Sequence, residues 1–418
     1  MRSFSALIMG CGAQGRVIST FLSRLPQCEK IILADIDAKA LNNHATWLKS
    51  EKLVVKKLDA SNIQEVANVA KNTDILINAV IPRFNLALMK AALVAGVHYI
   101  DLAFGPPYSN LEKELELNQS FKKEKVTALT GAGKSPGLTN ILVAQALDQL
   151  DSIESVRIRV FGELRSSEPV MTWSPLTLIE DSSLPPTVFK DGKLIKVPPF
   201  SGEEDYIFPV ENIGKRKVWY HEHEEPYMLS KTLGARGLKY CDFKMGGIDQ
   251  IKALYELGLL NNKPIELGGS RITPQKIVAK LLPKPPSAKE LIKKIEQGII
   301  TDSTGCSVVE VEGLKNDERL QITLWAIDPS IKDVITYYPV ATDDSYVVGV
   351  SASLLALLIT KMSVEPGVLT PELLPKKLRE EFIGLLAMQK PPILIKGKRE
   401  SWLSFNEKAS KKEVRVYV

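Results

Sequence analysis

Cysteine, charge of one sign and long apolar runs are what this chain has little of. Its 418 residues hold four cysteines, Cys11, Cys28, Cys241 and Cys306. They lie far apart and form no C-x-x-C pair, which argues against a zinc site and fits a reducing, cytoplasmic setting. Lys and Arg number 54 against 49 Asp and Glu, and the resulting +5 is too mild to recruit nucleic acid. No apolar run approaches membrane-spanning length, and one Arg followed by a strand pattern is not a signal peptide. No internal repeat is visible. Nucleic acid, membrane and metal are therefore not expected as partners.

What is present is an ordinary globular composition, 44% hydrophobic and 25% charged, in a chain too long for a single core. Two domains are expected. The first 37 residues carry the strongest signal. Residues 5–9 (SALIM) read as an apolar strand, and Gly10, Gly12 and Gly15 follow at G-x-G-x-x-G spacing. An amphipathic run over 16–25 and a second strand over 30–34 come next, ending at Asp35. Gly10 suits a tight turn, Gly12 a close approach of backbone to a pyrophosphate, and Gly15 packing of helix on strand. Ala13 and Gln14 complete a turn whose helix N-terminus aims free N–H groups at phosphate. Asp35 stands where a carboxylate accepts hydrogen bonds from an adenosine ribose. Asp35 with Asp37 would repel a 2′-phosphate, and no Lys or Arg follows before Lys39, so NAD is favoured over NADP.

The alternation continues. Strands are expected over 52–58, 74–80, 98–102 and 126–130, with helices between them over 63–70, 86–95 and 111–123. That pattern predicts a parallel, doubly wound sheet of Rossmann type over residues 1–135. Ligands bind such sheets at the carboxyl ends of strands, which singles out Asp59, Asn78, Ala79, Pro82, Asp101, Gly131 and Gly133. Asn78 reads equally as a plain turn residue, and Asp101 also as a turn cap. Beyond about residue 150, turn signals such as Pro185-Pro186 and Asp191-Gly192 separate short strands. They imply a mostly antiparallel α+β domain over 136–340. Residues 343–362 are long and apolar, fitting a buried helix, and 341–418 are expected to pack back onto the first domain.

Residues 128–135 (ALTGAGKS) match a relaxed phosphate-loop pattern, which raises a nucleotide hydrolase as an alternative. The loop is too short and Pro136 follows at once, so a strand-to-helix turn near the nicotinamide reads better. Lys134 is then either a point charge for a substrate carboxylate or a solvated lysine. The run YHEHEE, 220–225, is not the H-E-x-x-H zinc helix, because Glu225 stands where a second His is needed. Its histidines and carboxylates suit acid–base work, and a structural use of one histidine is as good a reading.

These stretches resemble the saccharopine dehydrogenase family, and within it the L-lysine 6-dehydrogenase branch. The similarity lies in GCGAQG with ADID, FNLALMKAALVAGVHYIDLA, GAGKSPGLTNILV, the IEDSSLPPTVFKDGKLIKVPPFSGEEDYIFP segment and YHEHEEP. His223 and Glu225 fall on the branch's His-x-Glu, and Trp173-Ser174-Pro175 resembles a W-S-P of the glutamate-forming members. The resemblance implies hydride transfer from a C–N carbon of an amino acid or amine to nicotinamide. It covers lysine 6-dehydrogenase-like deamination or a saccharopine-type secondary amine, in a cytoplasmic homodimer. A protonated amine cannot release hydride, so a base is needed, and His223, Glu225 and Asp101 are the candidates for base and amine anchor. A homospermidine-type transferase, using NAD internally, is the alternative from a second enzyme class.

Overall fold

The computed structural model describes residues 3–106, 108–172, 175–403 and 414–417. By internal contacts the chain divides into two compact units, 1–141 with 334–393, and 142–333 with 394–418.

A continuous apolar run such as 5–9 needs cover on both faces, which a parallel strand inside a doubly wound sheet supplies. It forms β1 (Phe4–Met9), buried throughout. Then come α1 (Ala13–Arg24), β2 (Cys28–Asp35), α2 (Ala38–Leu48), β3 (Leu53–Lys57), α3 (Ile63–Ala70), β4 (Ile75–Asn78), α4 (Asn85–Ala95) and β5 (His98–Asp101). The helix expected over 111–123 is two short ones, α5 (Ser109–Leu115) and α6 (Asn118–Lys123), before β6 (Thr127–Leu129) and α7 (Leu138–Leu147). The six strands run parallel in the order 3-2-1-4-5-6. That order reverses beside β1, the place where such sheets bind ligands.

Two elements from late in the chain complete this unit. Gly367–Leu369 adds a seventh parallel strand beside β6. The helix Asp343–Lys361 starts with a reciprocal cap between Thr342 and Ser345 and packs on α1, where Gly349 leaves no room for a methyl beside Val17. By length and composition this helix could cross a membrane, contrary to the expectation that no segment could. It is 78% buried inside the protein, which explains an apolar surface all round. The expectation that everything after 341 returns to the first unit needs correction. Leu394–Leu403 pairs antiparallel along Glu318–Ile327 and belongs to the second unit. The first boundary falls inside α7, at 141/142, and not at 135.

The second unit is built on a mixed sheet. Its strands are β7 (Ser152–Ser166), β8 (Thr187–Lys190), β9 (Lys193–Lys196), β10 (Glu204–Ile207), β11 (Lys215–Tyr220) and β12 (Tyr240–Gly246). After a small separate hairpin, β13 (Ile265–Leu267) and β14 (Ser270–Ile272), the long pair β15 (Ile300–Lys315) and β16 (Glu318–Ile327) follows. Most neighbours are antiparallel as expected, but β12 runs parallel to β7. Helix α8 (Pro175–Ser183) and helix α9 (Glu225–Leu233) belong to this unit and carry the residues that matter below. Arg159 is buried on β7 because both oxygens of Asp242 meet its guanidinium, at 2.7 and 3.1 Å.

Candidate active site

The glycine turn follows directly from β1. Gly10 has φ +110°, and a side chain there would sit 2.6 Å from the Ala79 carbonyl oxygen. A Cβ on Gly15 would lie 1.7 Å from the Gly10 carbonyl oxygen, so only glycine lets α1 close on the strand. Gly12 is different. A Cβ there meets nothing within 4 Å, and no side chain caps α1. The first N–H groups of the helix, at Ala13 and Gln14, therefore border open space at the positive end of the dipole. Gln14 Oε1, buried without a hydrogen-bond partner, lies in the same turn. These residues fit a pyrophosphate.

Asp35 ends β2, and its carboxylate accepts the N–H of Cys11 at 2.6 Å and of Asp37 at 2.8 Å. It fixes the glycine turn and keeps lone pairs for a ribose hydroxyl. Asp37 caps α2, accepting the N–H of Lys39 and Ala40. Lys57, on β3, is the register partner of Asp35, a cation that reading along the chain did not place there.

The remaining strand ends divide sharply. Asp59 is exposed and makes a local turn, accepting the hydroxyl and N–H of Ser61, which hold its carboxyl below the usual range. Ala79 bonds back to Met9 at 2.8 Å, and Pro82 opens a short 3-10 turn. Asn78 is buried, with its amide N–H groups on Asn85 Oδ1 at 2.8 Å and the Tyr99 hydroxyl at 2.9 Å. Its Oδ1 accepts the Val80 N–H at 3.0 Å, so the same buried side chain also closes the turn after β4. Asp101 is 1% exposed and accepts the Gly131 N–H at 2.7 Å, so its carboxylate holds the GAGKSPG turn from beneath. Gly131 (φ +71°) allows that turn, and a Cβ on Gly137 would lie 2.1 Å from the Gly133 carbonyl oxygen. The loop folds on itself instead of cradling a phosphate. Lys134 is not solvated; its Nζ is buried 3.5 Å from Asp344 at the start of the long helix.

In the second unit YHEHEE splits by role. Glu222 accepts the Thr187 N–H at 2.6 Å and pairs with Lys196, tying β8 and β9 to the loop. His221 is buried; its Nδ1 lies 3.1 Å from the Glu222 carbonyl oxygen and its Nε2 3.4 Å from Ser182 Oγ. Burial, with the neighbouring His223 charge, pushes its pKa down to about 3, so it stays neutral. His223 stacks on Phe243 of β12, with centroids 4.0 Å apart and rings 11° from parallel. Its Nδ1 is hydrogen-bonded to Glu225, and Glu224 Oε2 is 3.4 Å away. Burial opposes its charge, but Glu225 first, then Glu224 and Asp181, push the pKa up to about 9. Asp181 comes from α8, and burial followed by the Glu224 charge raises it to about 7, against the pull of His223.

The chain thus brings His223 and Glu225 together with Glu224 and Asp181. Asp101 and Lys134 belong to the other unit. Asp181 was missed in sequence, where nothing distinguishes it within IEDSS; Trp173 and Ser174 lie outside the described residues. Ligand atoms of His223, Glu224 and Glu225 lie within 4.8 Å of one another. A cation suits that composition, and a protonated His223 already supplies one.

Residues 6–129 match the saccharopine dehydrogenase NADP binding domain, and residues 133–390 match the saccharopine dehydrogenase C-terminal domain. The chain belongs to the saccharopine dehydrogenase family. Its membership makes it an oxidoreductase with a nicotinamide-binding domain, and the resemblance read from GCGAQG, GAGKSPG and YHEHEE holds. The chain is 27% identical over 294 residues to carboxyaminopropylagmatine dehydrogenase of Synechocystis sp., covering 68% of this chain and 73% of that one. It is 25% identical over 313 residues to carboxynorspermidine synthase of Vibrio cholerae, with the same two coverages. Among solved structures, the apo L-Glu-forming saccharopine dehydrogenase of Saccharomyces cerevisiae superposes with a TM-score of 0.70 at 14% identity. That alignment covers 95% of this chain and all of the other, and it shows the shared fold.

Proposed function

We propose that this saccharopine dehydrogenase-family protein transfers hydride between NAD and the carbon of a C–N bond in an amine substrate. A secondary amine built from a carboxylate-bearing piece and a second amine is the leading substrate class. The relatives' names favour that class over the lysine 6-deamination that the motif resemblance put first. The observation that carries the reading is the cluster of Asp181, Glu224, Glu225 and His223, one cationic group among three carboxylates.

Bound nicotinamide supplies the hydride acceptor at its ring carbon. The protein's own residues handle charge and proton. Three carboxylates against one imidazolium attract an ammonium-bearing substrate. With a pKa near 7, Asp181 accepts the amine proton at neutral pH, which frees the nitrogen lone pair to expel hydride from the adjacent carbon. His223, protonated up to about pH 9, cannot be that base; it is the donor in the reductive direction, held by Glu225 and the Phe243 ring. Of His223, Glu225 and Asp101, the candidates for base and amine anchor, His223 takes the donor's part in this proposal.

NAD is assigned over NADP because Asp35 and Asp37 surround the ribose position with negative charge, and Lys57 beside Asp35 is the counterweight. A cytoplasmic setting and a homodimer are parts of the same proposal; the four cysteines, buried and not joined in disulfides, fit the former. The test mixes purified protein with NAD or NADP and a panel of diamino acids, saccharopine, polyamines and carboxylated polyamines. Reduced-cofactor absorbance is followed in both directions. No change with any amine, despite measurable cofactor binding, would refute the dehydrogenase reading. Product formed from amines with no net reduced cofactor would favour the transferase.

A further inference from the structure

Two histidines, two residues apart, share one phenylalanine and use it differently. His223 stacks flat on Phe243, while the His221 ring lies 6.4 Å from the same ring, tilted by 53°. The His221 backbone N–H donates to the Phe243 carbonyl at 3.2 Å and pins the loop to β12. The neighbouring Glu222 directs its carboxylate to Thr187 and Lys196, away from this ring. Nδ1 of His221 faces the Glu222 carbonyl oxygen at 3.1 Å, an acceptor only, so Nδ1 carries the hydrogen. In a neutral ring Nε2 is then bare, and the Ser182 hydroxyl, 3.4 Å away, donates to it. Ser182 is buried on α8 and directly follows Asp181. Leu178 and Ile179 seat the same helix in a core with Trp219 and Ile248. Those apolar contacts hold α8 down without fixing its direction, and the Ser182–His221 bond supplies what they lack.

We propose that His221 is a positioning residue: as an imidazole protonated on Nδ1 alone it accepts the Ser182 hydroxyl, and this bond joins the end of α8 to the YHEHEE loop so that Asp181 stands beside His223. The covalent neighbours of the two bonded residues make the link short, since Asp181 precedes Ser182 and His223 lies two residues past His221. Burial first, then the His223 charge, pushes the His221 pKa down to about 3, which keeps the ring neutral and its Nε2 an acceptor. The titratable groups around His223 are Glu225, Glu224 and His221 from its own loop and Asp181 from α8. What Asp181 does there rests on the function proposed above; the tautomer and the joint do not.

The test uses the full chain and a readout that does not depend on knowing the substrate. The chain has four histidines, so isotope-labelled histidine gives four sets of ring signals in NMR, assigned by replacing each residue in turn. At pH 7 the His221 ring nitrogens should report a neutral imidazole protonated on Nδ1, while His223 titrates near pH 9. Ser182→Ala, a small change that leaves α8 in its core, should lower the proton-binding constant of His223 about threefold to tenfold as Asp181 moves away. Asp181→Asn should lower it at least as far, and the double variant no further than Asp181→Asn alone. For an amine oxidised in the assay above, Ser182→Ala should also cut kcat about tenfold with Kd for NADH within about twofold of the wild type. A His221 ring protonated on Nε2 at pH 7 overturns the tautomer and the joint with it. An unchanged His223 titration in Ser182→Ala or in Asp181→Asn, or additive effects in the double variant, overturns the positioning role. If no amine is oxidised, the function proposed above fails by itself, and the ring signals still decide the joint.

Discussion

Gly12→Ala separates cofactor binding from folding more cleanly than any other change in this chain. Gly12 has φ −75° and ψ −160°, a backbone that alanine adopts without strain, and a methyl there meets no protein atom within 4 Å. Two small effects on stability oppose each other. Alanine lowers the entropy of the unfolded chain, worth about 0.4–1 kcal/mol, and it is a poorer helix cap than glycine by about the same amount. Tm is expected to move by less than about 3 °C. On the proposed function, this open space takes the pyrophosphate against the α1 N-terminus. A methyl pushed into that contact costs about 1–3 kcal/mol, which is roughly a tenfold to hundredfold rise in Kd. The assay is titration with NAD and NADH by fluorescence or calorimetry, beside a thermal melt of the same preparation. An unchanged Kd in a normally folded variant would refute the assignment of this turn to phosphate.

Gly15→Ala is the contrasting case. Its Cβ would sit 1.7 Å from the Gly10 carbonyl oxygen, so a loss of folded, soluble protein is expected, read as a Tm drop corresponding to about 3 kcal/mol or more. Asp181→Asn should lower kcat about 10²- to 10⁴-fold with NAD affinity intact, and remove the limb of the pH–rate profile near 7. An unchanged profile would exclude Asp181 as the base. His223 has a raised pKa, so its contribution to stability is full below pH 6.5 and is lost as pH rises through about 9. Urea unfolding at pH 6, 8 and 10 should show a loss of about 2–3 kcal/mol in the wild type that shrinks in Glu225→Gln. Equal slopes in the two proteins would contradict the pairing.

Where local sequence decides the geometry, reading it was enough. Gly10, Gly12, Gly15 and Asp35 lie on one strand–turn–helix–strand unit, and their spacing alone sets which glycine faces backbone and which faces open space. The late helix Asp343–Lys361 was also legible, since only burial tolerates such a composition in this fold. Asn78 and Asp101 were legible as strand ends but not in their roles, because their partners Asn85 and Thr130 come from other elements. Asp181 reaches His223 only through the folding of α8, and no local pattern announces that. The seventh strand, Gly367–Leu369, is three residues long, too short for any periodicity to show.

The interleaving of the two units bears on how the protein is made. The first unit lacks its seventh strand and its longest helix until residue 369 has been synthesised. The second lacks the strand that pairs with the far side of β16 until residue 403. Neither can close on the ribosome while the other is still unwritten, and during that interval the α1 surface around Val17 stands uncovered. Expression of either half by itself should give aggregates, and chaperone demand should peak late in translation instead of after the first 141 residues.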